Sequence, residues 1–164
     1  MLVRKMKTED AEQASRMTRT VMLDSWEKNE LGTYPRKALE FDMARHSAEN
    51  YRESLKADLD FAFVAEDEER IVGVSMGKLV GESGLARLDW IGVHPNHQRK
   101  GTGKALLEKV VDYCEAKGCH KITLNTMPAL VPAINLYLRA GFVPEAYLHE
   151  EWWKVDFIKM SKWL

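Results

Sequence analysis

The sequence predicts an α/β (α+β) protein in which about four helices flank a twisted, mixed and mostly antiparallel sheet of about six to seven strands. Two observations predict this class. Three apolar runs between residues 61 and 93 are separated only by short polar turns, which is typical of an antiparallel meander. The third run leads through a helical repeat into a fourth run at 121–126, and such a strand–helix–strand crossover places its two strands parallel.

With 164 residues, the chain is expected to form a single domain over 1–164. Its 45% hydrophobic and 30% charged residues are typical of a soluble globular protein. A net charge of −1 argues against a nucleic-acid partner. No apolar run approaches the roughly 20 residues of a membrane span, and the N-terminus lacks the apolar core of a signal peptide. The expected location is therefore the cytoplasm, without a membrane partner. Cys114 and Cys119 complete no metal-binding pattern, so no metal is expected.

The N-terminal third predicts one strand and two helices. The strand covers residues 2–6, and Thr8 is the predicted N-cap of a first helix that ends near Asn29. One face of this helix is marked by apolar residues at helical spacing: Ala14, Met17 and Val21. Gly32 interrupts the pattern, and Pro35 suits the first turn of a second helix. The predicted inner stripe of that single second helix is Ala44, Ala48, Tyr51 and Leu55.

The remaining elements follow in order along the chain. Strands are predicted at 61–64, 71–80 and 85–93, with turns at 67–69 and 81–84. After them the sequence predicts a helix from about 104 to 117, a strand at 121–126, a helix at 133–140, and strands at 143–149 and 153–160. Gly118 and Gly141 are suited to end the two helices.

The stretch 91–107 reads I-G-V-H-P-N-H-Q-R-K-G-T-G-K-A-L-L and predicts a site for an anion. It passes from an apolar strand end through a polar loop into a helix, with Gly101 and Gly103 at the junction. Glycine allows a sharp turn and a close backbone approach to a ligand. A helix N-terminus adds unpaired N–H groups and the positive end of the helix dipole. Positive side chains are contributed by Arg99, Lys100 and Lys104. The favoured anion is a pyrophosphate.

Two common phosphate-binding loops are excluded. A Walker A loop requires Ser or Thr after Lys104, where Ala105 stands. A dinucleotide fingerprint requires a third glycine at the position of Leu106. What remains is a Q-x-x-G-x-G pattern formed by Gln98, Gly101 and Gly103. The alternative is a basic, glycine-containing connection that binds no ligand.

This Q-x-x-G-x-G pattern resembles the acetyl-CoA loop of the GCN5-related N-acetyltransferase (GNAT) family. Residues 133–142 read A-x-x-L-Y-x-x-x-G-F and resemble the second signature of that family. The resemblance covers essentially the whole chain and implies the acyl-CoA N-acyltransferase fold, with acetyl-CoA as co-substrate. One departure is Leu130, where the family often has an asparagine that contacts the cofactor. Asn125 is a candidate substitute for that contact and is equally a candidate strand-end cap.

The resemblance also implies where the cofactor lies. The strands at 85–93 and 121–126 are expected to splay apart at their C-terminal ends, with the pantetheine arm between them and paired to the backbone of 91–93. The cofactor-binding residues implied are Ile91, Gly92, Val93, Gln98, Arg99, Lys100, Gly101, Thr102, Gly103, Lys104, Asn125, Ala133 and Tyr137.

Acyl transfer to an amine requires a proton donor, a proton acceptor and stabilisation of an oxyanion. In the family, a tyrosine at the position of Tyr137 protonates the departing sulfur; the alternative here is a core aromatic. Asp89 is the first candidate for the base, with equal weight given to an ion pair with Arg87 or Lys78. A bulge at Gly92 is expected to free a backbone N–H for the oxyanion.

The predicted function is acetyl-CoA-dependent N-acetyl transfer to a primary amine by direct attack in a ternary complex. The acceptor is expected to be a small-molecule or peptide amine, contacted by Trp26, Tyr34, His149 and Glu150. A homodimer through the last strands is left open. The main alternative is a non-catalytic CoA-binding or sensing module on the same fold, and a nucleic-acid-binding domain is disfavoured by the near-neutral charge.

Overall fold

A seven-stranded mixed sheet forms the centre of the computed structural model, which describes residues 1–57 and 60–164. The strands are β1 (Leu2–Lys5), β2 (Asp60–Asp67), β3 (Arg70–Leu79), β4 (Leu85–Val93), β5 (Lys121–Thr126), β6 (Val143–Trp152) and β7 (Val155–Trp163). Their order in the sheet is β1-β2-β3-β4-β5-β7-β6. Within the described residues β4 and β5 pair in parallel and every other neighbouring pair is antiparallel. The predicted fold class is confirmed.

Five α-helices accompany the sheet in the described part of the chain. They are α1 (Ala11–Ser25), α2 (Arg36–Arg45), α3 (Ala48–Ser54), α4 (Thr102–Ala116) and α5 (Val131–Arg139). A 3₁₀ turn at Thr8–Asp10 precedes α1, and a π-helical turn at Trp26–Glu30 follows it. None of these helices is long and apolar enough to cross a membrane.

The apolar residues separate into cores on the two faces of the sheet. Strand alternation sends neighbours such as Phe63 and Val64 to opposite sides, and the two are 1% and 0% exposed. The larger core packs α4 and α5 against the sheet and contains Leu106, Leu107, Val110, Ile122, Leu124, Tyr137, Phe142 and Met160. The second core packs α1 and α3 against the other face and contains Met17, Tyr51, Val64 and Val74.

The single second helix predicted for 35–55 is in fact two helices. Ser47 leaves the helical conformation, and its hydroxyl accepts a hydrogen bond from the backbone N–H of Asn50 at 3.2 Å. This is an N-cap, so the chain starts a new helix here instead of continuing the old one. Ala44, placed on the inner stripe by the prediction, is exposed. The buried residues of α2 are instead Ala38, Leu39 and Met43.

The predicted Thr8 cap is also wrong: Thr8 lies inside the 3₁₀ turn, and Asp10 holds the N-cap position of α1 without a side-chain capping hydrogen bond to that helix. The Asp10 carboxylate accepts the backbone N–H of Lys7 at 2.7 Å and two hydrogen bonds from the Arg4 guanidinium, at 2.7 and 2.9 Å. The Arg4 guanidinium holds the pKa of Asp10 below its ordinary value, although burial opposes this shift. The carboxylate therefore ties β1 to the start of α1.

His46 lies in a polar chain between the first helices and the sheet. Its Nδ1 is 3.0 Å from the hydroxyl of Tyr51, which is 2.8 Å from the hydroxyl of Thr18. The ring centroid lies 5.2 Å from that of Trp90 on β4. Burial disfavours the charged imidazolium and lowers the pKa of His46 to about 4.

We expect His46 to make the protein less stable in acid. The unfolded chain binds a proton near the ordinary pKa of 6.5, whereas the folded chain binds it only near pH 4. The free energy of unfolding is therefore unaffected by the protonation of His46 above pH 6.5. It falls as the pH drops from 6.5 to 4, by at most about 3 kcal/mol. The free energy of unfolding, measured with urea at pH 7.5 and at pH 4.5, should fall further between the two pH values for the parent than for His46→Gln.

Comparing the two proteins isolates the histidine from other groups that titrate in this range. The pKa values of the Glu30 and Asp42 carboxyls are raised by burial, so their protonation stabilises the fold as the pH falls. That opposite effect occurs in both proteins and cancels in the difference. Identical losses for parent and variant would show that His46 does not titrate differently in the folded state.

Candidate functional site

Strands β4 and β5 open into a gap at the centre of the sheet. They pair only where residues 85–87 lie beside 121–123. Beyond these pairs, residues 88–93 of β4 pair only with β3, and residues 124–126 of β5 pair only with β7, among the described residues. The two strands therefore diverge over these segments. This is the splayed arrangement that the family resemblance implied. It leaves one edge of β4 free to pair with an extended ligand.

A β-bulge shapes the free end of β4. Trp90 pairs with Met76 and Leu88 pairs with Gly77, so Asp89 has no partner on β3. Gly77 is required opposite the bulge, because a Cβ there would clash with the carbonyl oxygen of Arg87 and lie 2.6 Å from the ring of Phe61. The sequence analysis had given no role to Gly77.

The bulge predicted at Gly92 is therefore misplaced. Gly92 pairs regularly with Val74. Its missing side chain instead leaves room for the Trp90 indole, whose atoms would overlap any Cβ at this position. The bulge at Asp89 disturbs the ladder three residues earlier than predicted.

The anion site lies at the N-terminus of α4. Gly101 is the N-cap and adopts the left-handed conformation, with φ 86°. It offers no side chain to cap the helix, and the first backbone hydrogen bond runs from Ala105 N–H to the Gly101 carbonyl at 3.0 Å. The N–H groups of Thr102, Gly103 and Lys104 thus have no backbone acceptor within the described chain. Three free donors at the positive end of a 15-residue helix are the groups that a phosphate needs, as the sequence predicted for this loop.

Side chains hold the loop 94–101 in place before this helix. The Gln98 amide donates to the carbonyl of Val93 at 3.1 Å, and the Thr102 hydroxyl donates to the carbonyl of His97 at 3.2 Å. Arg99 takes a left-handed conformation with φ 58°. Gln98 and Thr102 therefore act on the site by fixing its backbone to the end of β4.

The positive side chains predicted for this site surround it and remain in solvent. Arg99 and Lys100 are exposed. The Lys104 side chain is 73% exposed, and its ammonium lies 3.5 Å from the Glu108 carboxylate one turn later. Together with the free N–H groups, these cations fit an anionic pyrophosphate.

Gly103 serves helix packing. A Cβ at this position would lie 3.3 Å from Cδ2 of Leu136 on α5 and 3.7 Å from Cγ2 of Val93. The missing side chain thus faces protein atoms and lets α4 approach α5. The prediction that glycine leaves room for the ligand fits Gly101 better, because a Cβ there would meet no atom within 4 Å.

Tyr137 lies on the inner face of α5. The side chain is 7% exposed, and its ring centroid is 6.0 Å from that of Phe142 in the larger core. Burial raises the pKa of the Tyr137 phenol above its ordinary value, so the hydroxyl keeps its proton at neutral pH. The ring is thus a core aromatic, and the hydroxyl remains a proton donor. The role of this hydroxyl as the general acid stays a prediction.

Asp89 forms the ion pair that the sequence analysis gave as an alternative. Its carboxylate accepts a hydrogen bond from Nε of Arg87, and the two side chains are 31% and 46% exposed. Lys78, the other partner considered, is paired in register with Arg87 across the ladder. The base role of Asp89 stays a prediction.

The residues predicted to contact the acceptor fall into two groups. Trp26 and Tyr34 join the wall formed by the segment between α1 and α2. The Trp26 indole donates a hydrogen bond to the Tyr34 carbonyl at 2.8 Å. Tyr34 is 6% exposed, and its hydroxyl donates to the Asp42 carboxylate at 2.5 Å. They pack with Ala38, Met127 and Val155. Their side-chain polar groups are thus already paired, and they shape the wall.

His149 and Glu150 lie on the hairpin of β6 and β7. The Asp156 carboxylate accepts from His149 Nδ1 at 2.9 Å and from the Glu150 backbone N–H at 2.8 Å. The Tyr147 hydroxyl donates to the same carboxylate at 2.5 Å. These contacts order the hairpin end. A cavity of about 320 Å³ lies beside this hairpin. It is lined by 154–156 of the hairpin, by Thr33 and by 127–129.

Two carboxyl groups near this wall were missed by the sequence analysis. Glu30 is 7% exposed and accepts a hydrogen bond from the Ser25 hydroxyl at 2.7 Å. Asp42 accepts the Tyr34 hydroxyl. Burial raises the pKa of both carboxyls, and the negative charge of Asp42 raises that of Glu30 further. In the sequence Glu30 stands in a polar run and Asp42 lies between Phe41 and Met43, so local composition did not indicate that both carboxyls are withdrawn from solvent.

The last two cofactor candidates flank the gap. Ala133 is partly buried where α5 packs against the larger core. Asn125 is exposed on β5, on the opposite face of the strand from Leu124. Their contacts to the cofactor stay predictions.

The family model described as "Acetyltransferase (GNAT) family" matches residues 21–142, which is well over half of the chain. The chain belongs to the GNAT acetyltransferase family. Acetyl-CoA is the co-substrate of this family, and the cofactor prediction is confirmed. The residues present fit it: the N-terminus of α4 offers free donors and cations to a pyrophosphate, and the β4–β5 gap offers a strand edge to the pantetheine arm.

One curated relative is the mycothiol acetyltransferase of Arthrobacter sp. (strain FB24). It is 30% identical over 105 residues, which cover 62% of this GNAT chain and 31% of that protein. The chain thus spans about a third of the length of the curated relative that it matches.

Several solved structures share the fold. The PaiA N-acetyltransferase of Thermoplasma acidophilum in complex with coenzyme A superposes with a TM-score of 0.81 at 22% identity, covering 99% of this chain and 98% of that one. The ribosomal-protein-S18-alanine N-acetyltransferase of Escherichia coli gives 0.73 at 20% identity, covering 98% and 91%. A point mutant of spermidine N-acetyltransferase SpeG from Vibrio cholerae gives 0.73 at 22% identity, covering 99% and 95%.

Proposed function

We propose that this GNAT protein transfers the acetyl group of acetyl-CoA to a primary amine by direct attack in a ternary complex. The observation that supports the proposal is that the N-terminus of α4, with its free N–H donors, packs against α5, the helix that carries the protonated phenol of Tyr137. Gly103 of the anion site packs against Leu136, which precedes Tyr137 on α5. An anchored donor would thus extend from the α4 N-terminus toward the Tyr137 hydroxyl.

The chain binds and orients the donor in two places. The N–H groups of Thr102, Gly103 and Lys104 hold the pyrophosphate, and the free edge of 91–93 pairs with the pantetheine arm. Orientation of donor and acceptor lowers the barrier, because a well-aligned pair reacts as one molecule and gains up to roughly 7–11 kcal/mol.

Three groups of the chain act on protons and charge. Tyr137 donates its proton to the sulfur as the carbon–sulfur bond breaks. Asp89 takes a proton from the attacking amine through water, since an amine with a pKa of about 10 is mostly protonated at neutral pH. A backbone N–H at the bulge of Asp89–Trp90 stabilises the charge that develops on the carbonyl oxygen.

The acceptor is proposed to be a small-molecule or peptide amine that approaches between the wall of Trp26 and Tyr34 and the hairpin with His149 and Glu150. The names of the structural relatives support an amino acceptor, since they include N-acetyltransferases of spermidine and of a ribosomal-protein alanine. The chemistry lies at the opening of the β4–β5 gap, which an amine can reach from this side.

Thiol release from acetyl-CoA, measured over a panel of polyamines, amino acids and peptide N-termini, tests this proposal. We expect release above the buffer rate with at least one amine, and an acetylated amine by mass spectrometry. Tight binding of acetyl-CoA without release on any amine would support the alternative, a CoA-binding or sensing module.

Asp89→Asn tests the proposed base. We expect kcat/KM at pH 7 to fall about 10²-fold and the loss to shrink as the pH approaches the pKa of the amine, because a neutral amine needs no base. Arg87→Met is the matched control, since it removes the partner of the ion pair and leaves the carboxylate. If kcat/KM of Asp89→Asn depended on pH in the same way as that of the parent, Asp89 would act only as a structural partner of Arg87.

A further inference from the structure

Two buried hydroxyls have no hydrogen-bond partner among the described residues. They belong to Ser75 on β3, which is 0% exposed, and Thr126 on β5, which is 3% exposed. A buried hydroxyl without a partner destabilises a fold, and native structures contain few of them. Such a group is therefore informative when it lies beside a ligand-binding gap.

Thr126 lies at the open end of the β4–β5 gap. It is the last residue of β5, three positions beyond Thr123, where the pairing with β4 ends. On its other side β5 is closed, because Thr126 pairs with Ile158 of β7. Strand alternation places the Thr126 side chain on the same face as Leu124, which packs in one cluster with Tyr137.

The neighbouring threonine of the same strand shows what is unusual here. Thr123 points to the opposite face and its hydroxyl is paired: it donates to the Met160 carbonyl at 3.4 Å and accepts from the Ser161 hydroxyl at 3.3 Å. The other unpaired hydroxyl, that of Ser75, is separated from the gap by β4. Thr126 alone of these three combines an unpaired hydroxyl with a position at the gap.

We propose that the Thr126 hydroxyl hydrogen-bonds the acyl-pantetheine arm of acetyl-CoA and positions its thioester end near Tyr137. The inference rests on the proposed function, which places that arm between β4 and β5. A hydroxyl can donate to a carbonyl oxygen of the arm or accept from its amide N–H. Because no hydrogen bond joins the strands beyond Thr123, the arm can part them and reach the hydroxyl without breaking the ladder.

Thr126→Val tests this, because valine keeps the shape and removes the hydroxyl. Calorimetry without an acceptor should show acetyl-CoA affinity falling about threefold to tenfold, the range expected for one neutral hydrogen bond. Affinity for the nucleotide part of CoA alone, adenosine 3′-phosphate 5′-diphosphate, should not change. The melting temperature of the free protein should rise, since an unpaired buried hydroxyl has been removed.

Three controls make the result specific. Thr126→Ser retains the hydroxyl and should bind acetyl-CoA within about twofold of the parent. Thr123→Val removes a paired hydroxyl and should lower the melting temperature while acetyl-CoA affinity stays unchanged. Ser75→Ala should raise the melting temperature and also leave affinity unchanged.

Unchanged acetyl-CoA affinity in Thr126→Val would overturn the inference. A Thr126→Val protein that melts below the parent would overturn it as well, because the hydroxyl would then have a structural partner. Since binding is measured without an acceptor, failure of the parent to acetylate any amine would count against the proposed function alone.

Discussion

Tyr137→Phe is expected to lower kcat by roughly 10²–10⁴ at neutral pH while acetyl-CoA affinity stays nearly intact. The substitution removes one hydroxyl and keeps the ring that packs against Phe142. The expected loss is large because a thiolate leaves poorly without a proton. The raised pKa of the buried phenol adds a second expectation: the hydroxyl of the parent stays protonated up to about pH 10, so its ionisation does not limit activity below that pH.

Tyr51→Phe is the matched control for this substitution. Tyr51 is also buried, at 1% exposure, but its hydroxyl is paired with Thr18 and His46 on the other face of the sheet. Its loss should lower the free energy of unfolding by about 1 kcal/mol and leave kcat unchanged. An acyl donor whose thiol leaves more easily should reduce the defect of Tyr137→Phe. A kcat within about twofold of the parent, on a confirmed acceptor, would remove Tyr137 from the mechanism.

The fold could be predicted where periodicity and connection length agree. The meander from β2 to β4 and the crossover through α4 follow from patterns that are local in sequence, whereas the gap between β4 and β5 was implied by the family resemblance. The break at Ser47 could not be predicted from an apolar stripe, since the helix on each side continues a similar spacing. Ser47 is itself the signal, because serine is a preferred N-cap residue and the acidic Glu49 follows it in the first turn of α3.

The candidate site was predictable to the extent that its chemistry is carried by the backbone and by motif residues. Gly101 and Tyr137 stand in the two signatures, at the N-terminus of α4 and on the inner face of α5. The bulge at Asp89 was not predictable, because it depends on pairing with Gly77, a residue twelve positions earlier on another strand. The unpaired Thr126 hydroxyl was equally hidden, since its lack of a partner is a property of packing.

The burial of Glu30 and Asp42 illustrates the same limit with charged residues. Sequence patterns place carboxylates in solvent, because an unpaired buried charge is costly. Here tertiary contacts enclose both groups beside Ser25 and Tyr34 and raise the pKa of each carboxyl, which reduces the cost by favouring the neutral acid. Such an arrangement arises from the packing of α2 against the π-helical turn and leaves no trace in local composition.

Gly101→Val is expected to weaken acetyl-CoA binding more than tenfold, which corresponds to about 1.4 kcal/mol. Gly101 holds φ 86°, a conformation that a β-branched residue adopts only with strain of roughly 1–3 kcal/mol. A valine would relieve this strain by leaving the left-handed region, which rotates the N–H groups of Thr102 and Gly103 away from the pyrophosphate. A Cβ at Gly101 would meet no protein atom within 4 Å, so the expected loss comes from the changed backbone and from a side chain in the space left open for the ligand. Titration calorimetry with acetyl-CoA measures it.

Gly118→Val separates loss of binding from loss of stability. Gly118 lies just beyond the other end of α4 and has φ 74°, and a Cβ there would likewise meet no atom within 4 Å. Both substitutions should lower the melting temperature by similar amounts, since both strain a left-handed residue at a helix end. Only Gly101→Val should also reduce the thermal stabilisation that acetyl-CoA gives, because ligand stabilisation follows affinity. Equal affinity in the two folded variants would place the pyrophosphate away from the α4 N-terminus.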